Sequence, residues 1–250
     1  MRKTENAALF LILSIIIYSC NKSPVEEVQV PPVVVTDANL HGWIKSPRGT
    51  ATLQFLQGAT IPFLGTGSIQ YKTADKSFSK LLNTEFGGTL MSSITGLSYS
   101  GLVEQRDSTV DANSLILEVD TDGDNLSDFH LVFEPRYQTG KFVAGTLLPD
   151  QGDSKMKIWQ TWDAFRGGWF LFTSVQTDPD HGGVVESFPT FVNKYPNAKI
   201  VNEVMVAGVK TVSGCFRVQA GGPIFSKNFI GYVDNIKIGV NGVSTTYDFE

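Results

Sequence analysis

Cysteine is scarce in this chain, with only Cys20 and Cys215 among 250 residues. Two thiols cannot build a disulfide scaffold or a four-thiolate zinc centre. Histidine is nearly as rare: His41, His130 and His181 stand far apart, which excludes the paired helical histidines of a zincin. Charge is thin and its balance acidic, with 18% charged residues, 20 Lys and Arg against 25 Asp and Glu, and a net charge of −5. No basic stripe is available to neutralise phosphates, so nucleic acid is excluded as a partner. A Gly-x-Ser-x-Gly nucleophile elbow and a phosphate-cradling Gly-rich loop are both missing. Helical periodicity is almost absent from Asp37 onward. What the chain does have is 42% hydrophobic residues, 24 glycines and 17 phenylalanines, enough to bury a substantial core.

The first residues read as an address. Arg2 and Lys3 precede an apolar run over 7–17, shorter than the roughly 20 residues a spanning helix needs. Ile17-Tyr18-Ser19-Cys20 follows and resembles the lipobox of bacterial lipoproteins, with Tyr18 bulkier than that pattern usually carries. The resemblance implies a signal peptide over 1–19, lipidation of Cys20 and a membrane partner reached through the acyl anchor. Asn21, standing where an Asp would retain a lipoprotein at the inner membrane, implies export to the outer membrane, with either face open. Residues 20–36, with three prolines and no helical period, read as an extended tether, although 33–35 has the composition of a first strand.

Residues 37–250 read as one all-β domain. Short β-rich runs recur at 68–73, 96–100, 115–119, 129–133, 169–174, 198–206, 215–220 and 230–238, separated by Gly, Asn, Asp and Pro. The pair 115–119 and 129–133 should form a hairpin, and 247–249 should add an edge strand. One short helix is predicted, capped by Ser187, with Pro189 in its first turn and Pro196 beyond its end. The segment Phe229-Ile230-Gly231-Tyr232-Val233-Asp234-Asn235-Ile236 resembles the last core strand of jelly-roll carbohydrate-binding modules. Taken with Trp159-Gln160-Thr161-Trp162-Asp163-Ala164 and the ending Tyr247-Asp248-Phe249-Glu250, the chain also resembles an uncharacterised family of secreted bacterial β-sandwich modules. These resemblances imply a jelly-roll-like antiparallel β-sandwich, galactose-binding-like or concanavalin-like, and they imply no activity.

The sharpest chemical signal is the acidic turn at 120–128. Asp120, Asp122, Asp124 and Asp128 occupy alternate or near-alternate positions around Gly123, and the Leu126 carbonyl falls at the seventh place. Hard oxygen ligands in this order suit calcium, and the turn resembles the first nine positions of an EF-hand or dockerin-like loop. It departs from that loop in having glycine at the fourth place and Leu131 at the twelfth. A structural Ca²⁺ is therefore the expected cofactor, and a solvated Asx-rich turn is the alternative. Glu118, Asp120 and Asp122 also stand at spacing two on a strand, weakly similar to the carboxylate strand of laminarinase-type glycoside hydrolases but lacking its final Glu.

Three tryptophans, Trp159, Trp162 and Trp169, fall within eleven residues. The expected arrangement puts Trp159 and Trp169 in the core and Trp162 on the surface as a sugar platform, with Asp163 and Arg166 as hydrogen-bonding partners. Trp43 is a second, weaker platform candidate. The resulting expectation is a non-catalytic envelope lipoprotein that binds glycan. The competing readings are a structural or adhesion protein binding protein partners and, third, a glycoside hydrolase using Glu118 and Asp120.

Overall fold

A computed structural model of the chain describes residues 30–57, 63–74, 77–107, 112–173, 178–181, 183–206, 209–212, 216–221 and 228–250. The signal-like segment, Cys20 and Cys215 lie outside the described residues.

Two sheets face each other across one apolar layer. The first is built on β16 (Phe229–Val240), twelve residues long. One edge of β16 pairs with β6 (Ile94–Gln105), which in turn pairs with β9 (Trp159–Asp163). Its other edge is shared. Residues 229–233 pair with β4 (Gly67–Thr73), flanked by β3 (Thr52–Gln57), and residues 236–240 pair with β17 (Val243–Phe249). Outside β17 lies β1 (Val33–Val35), joined to it in parallel. The sequence reading is corrected here in two respects: 247–249 is not an edge, and one pair in the sheet is parallel.

The second sheet runs β11 (Glu186–Ser187), β10 (Gly168–Phe172), β8 (Phe129–Phe133), β7 (Ser114–Asp120), β15 (Phe216–Gly221), β5 (Phe78–Asn83) and β2 (Trp43–Arg48). The end of β7 also pairs with β12 (Lys199–Ile200). A separate hairpin joins β13 (Glu203–Val206) to β14 (Val209–Val212). The expected hairpin of β7 with β8 forms, with Leu115 opposite Phe133 and Val119 opposite Phe129.

Alternation explains the core. Leu97, Tyr99 and Val103 on β6, Val233, Ile236 and Ile238 on β16, and Ile69 and Tyr71 on β4 all point toward Leu115, Leu117, Leu131 and Phe133 of the second sheet. Trp43 of β2 reaches across to Tyr247 and Phe249 of β17, at ring separations of 5.2 and 5.5 Å in edge-on geometry. A smaller apolar cluster, Ile116, Val132, Tyr137, Val143, Phe170 and Val185, covers part of the outside of the second sheet.

Two helical segments interrupt the strands. The single turn α1 (Gly140–Val143) carries Val143 into the outer cluster and was not foreseen. The other, α2 (Phe188–Lys194), is the predicted helix. The Ser187 side chain accepts from the Thr190 amide, Pro189 stands in the first turn, and Phe188 and Phe191 are buried against the core.

Candidate functional site

Trp162 sits on β9 opposite Tyr99 and is 3% exposed, so its ring is part of the inter-sheet core and no surface platform. Trp43, also buried, is corrected in the same way. Asp163 and Arg166 remain at the surface, where Asp163 Oδ1 accepts from the Arg166 amide at 3.0 Å and Oδ2 lies 3.6 Å from Arg166 Nε. They close the turn that carries the chain from the first sheet to the second, and they do not meet Trp162 on one surface. Trp169 is in the core as expected, whereas Trp159 is not fully buried. The reason is parity. Residues three apart on a strand point to opposite faces, so if Trp162 faces inward Trp159 faces outward.

The outward face of the first sheet gathers the side chains that sequence reasoning missed. The strand registers place Trp159 beside Leu102, Leu102 beside Tyr232, Tyr232 beside Gln70 and Gln70 beside Gln54. This is one row across β9, β6, β16, β4 and β3, in which Leu102 is buried while Trp159, Tyr232, Gln70 and Gln54 reach the surface. At about 4.8 Å per strand the row spans about 19 Å. Tyr232 and Gln70 are joined by a hydrogen bond from Gln70 Nε2 to Tyr232 Oη at 2.9 Å. Phe63, 41% exposed, packs against Trp159 at 5.7 Å. A second, polar row runs beside the first: Ser100 Oγ and Thr161 Oγ1 are 2.9 Å apart, and Asn235 Nδ2 donates to Ser100 Oγ at 3.4 Å. Asn235 has a φ of +51° at a register shift between β16 and β6. Such a bulge re-aims side chains, here toward Ser100.

Asp234 holds this face together. Its Oδ1 accepts from the Asn235 amide at 2.7 Å and the Phe249 amide at 3.1 Å, and its Oδ2 accepts from the Leu64 amide at 2.7 Å. These bonds fill the point where β4 and β17 part company along β16. Burial raises the carboxyl to about 6, against the pull of those three amides.

The acidic turn forms a cup from three of its four aspartates. One oxygen from each of Asp120, Asp122 and Asp124 lies within 4.8 Å of the others. Asp120 is buried and accepts amides from Asp122, Gly123 and Asn125 at 3.1, 2.7 and 3.0 Å. Asp122 and Asp124 are exposed and each accept the amide two residues on. Asp128 turns away to the amide and hydroxyl of Thr121. Leu126 contributes its amide to Asp124.

The hydrolase reading fails on geometry. Glu118 is 0% exposed, ion-paired with Arg217, 2.7 Å from His130 Nε2, and accepts from Ser127 Oγ at 2.9 Å. A fully buried carboxylate held by a guanidinium, an imidazole and a hydroxyl cannot reach a glycosidic bond. His130, on the face opposite the buried Phe129 and Leu131 and partly exposed, joins this cluster and stacks on Phe172.

An open groove of about 620 Å³ lies at the end of the sandwich near Arg166. Its walls are Leu147, Leu148 and Pro149, the Phe165–Arg166 turn and the start of α2.

Neither a family model nor a curated protein sequence matches the chain. Among solved structures, it is similar to the family 11 carbohydrate-binding module of a cellulosomal cellulase of Clostridium thermocellum. The TM-score is 0.40 and the identity 12%, over 86% of this chain and 92% of that one. A family 11 module from Clostridium thermocellum in complex with a β-1,3-1,4-mixed-linked tetrasaccharide gives 0.38 and 11%, over 82% and 92%. SGBP-B from a complex xyloglucan utilization locus in Bacteroides uniformis gives 0.33 and 11%, over 79% of this chain and 47% of that one. At such identities the likeness concerns the β-sandwich alone.

Proposed function

We propose that this protein is an exported, lipid-anchored, non-catalytic module that binds glycan on the outward face of its first sheet. The observation that carries the reading is the registered row Trp159, Tyr232, Gln70 and Gln54, backed by the buried Leu102 and bordered by Phe63 and the Asn235–Ser100–Thr161 ladder. Aromatic rings offer flat apolar surface to the C–H faces of a pyranose, and amides and hydroxyls beside them bond its hydroxyl groups. The row crosses the strands, so a linear chain would lie across the sheet. The acyl anchor rests on the lipobox-like segment ending at Cys20. The cup of Asp120, Asp122 and Asp124 is assigned a structural calcium ion, because three carboxylates converge on one point there.

The test is retention of the purified protein on immobilised glycans. Trp159→Ala and Tyr232→Ala should each weaken binding at least tenfold, about 1.4 kcal/mol, while Arg166→Ala binds like the parent. Absence of retention by the parent protein, or equal binding by all three variants, sinks the assignment of this face. Cys20→Ser should release the protein from membrane fractions, and a variant that stays membrane-bound counts against the anchor. The apolar groove beside Leu147, which is fully exposed, favours a second reading, a protein-binding envelope component.

A further inference from the structure

A second cluster of carboxylates lies away from the acidic turn, where the loop before β4 crosses the end of β17. Tyr247 and Phe249 point into the core, so Asp248 and Glu250 point outward. Both carboxylates crowd the same glycine. A side-chain carbon on Gly65 would overlap Glu250 Oε1 and stand 2.7 and 2.9 Å from the two carboxylate oxygens of Asp248. Gly65, at a φ of +58°, is what lets the loop pass between them. Glu250 is partly satisfied, since Oε1 accepts from the Thr66 amide at 2.8 Å and Oε2 bonds the Thr66 hydroxyl. Asp248 is not. The residue is 7% exposed, and its Oδ1 is buried with no hydrogen-bond partner among the described residues. Among the described residues no ion pair reaches Asp248 or Glu250.

A buried carboxylate oxygen without a donor, beside a second carboxylate, is a costly arrangement that calls for positive charge. We propose that Asp248 and Glu250 bind a hard divalent cation, such as Ca²⁺, against the Gly65 turn. Hard cations take oxygen ligands and tolerate water in the remaining positions, and the uncommitted oxygens of Asp248 supply the fixed part of such a set. The ion would clamp the loop to the last strand. Phe63, two residues before Gly65, packs on Trp159 from that same loop, so the clamp would also steady one wall of the sheet face. The cation site stands independently of the glycan reading.

Thermal unfolding of the purified protein, in chelator and in millimolar CaCl₂, tests the proposal. The Asp122→Asn/Asp124→Asn double variant, which disables the acidic turn, serves as the background. In that background calcium should still raise the midpoint. Adding Asp248→Asn should abolish the rise and also make the protein more stable than the background in chelator, because the uncompensated charge is gone. Glu250→Gln should diminish the calcium response. A midpoint indifferent to calcium in the background, a rise that survives Asp248→Asn, or an Asp248→Asn variant less stable than the background in chelator would each overturn it. The last of these would mean that the carboxylate serves only as a structural acceptor.

Discussion

Asp234 shows how much of this sheet rests on one side chain. Strand β16 changes partner from β4 to β17 along one edge, and the gap is closed by a carboxylate that accepts three amides from three separate segments. The Asp234 carboxyl is raised from 3.8 to about 6 by burial, so the folded state holds the proton more tightly than the unfolded chain. The corresponding stability is full below pH 4 and is lost as pH rises through about 6. A shift of roughly two units amounts to about 3 kcal/mol. Denaturant titrations in chelator should therefore show the parent losing stability from pH 4 to 6 relative to Asp234→Asn. At pH 4 the variant should be weaker by about 1–3 kcal/mol, because an amide nitrogen would face the Leu64 N–H, and the gap should close as pH rises through about 6. Parallel pH profiles for the two proteins would refute the assignment.

At the scale of elements, local signals were legible and face assignments were not. Helix α2 was marked by Ser187, Pro189 and Pro196, all acting within a few residues, and it forms over Phe188–Lys194. Removing the cap by Ser187→Ala should cost about 1 kcal/mol, seen as a lower urea midpoint with an unchanged slope. No change would mean that the bond from the Thr190 amide to Ser187 Oγ contributes no net stability. The aromatic segment behaved differently. Trp159 and Trp162 belong to β9 of the first sheet and Trp169 to β10 of the second. Alternation makes Trp159 and Trp162 opposite, but only the tertiary packing says which of them is inside. The β16–β17 turn had a readable signal in Asn241-Gly242, whose φ values of +52° and +79° suit a two-residue hairpin. Sheet order lay beyond local pattern, because β16 draws partners from positions more than a hundred residues away.

For the whole molecule, the sandwich takes in residues before position 37. Val35 is fully buried, its carbonyl accepts from the Glu250 amide at 2.9 Å, and residues 33–35 run parallel to residues 247–249. A parallel partner so close to the N-terminal segment can only arrive as a separate piece of chain, which is why no hairpin signal announced it. The strand also covers β17, whose Tyr247 and Phe249 hold Trp43 between the sheets. A protein beginning at residue 37 should therefore lose about 2 kcal/mol from Val35 alone. It should also present β17 as an open edge, with unpaired backbone groups inviting association. A protein beginning at residue 30 should keep both the stability and the monodispersity of the longer chain. Thermal unfolding and light scattering on the two forms decide the matter: equal midpoints and equal solution behaviour would return residues 33–35 to the tether. A lower midpoint with aggregation for the shorter form would make β1 part of the folded unit.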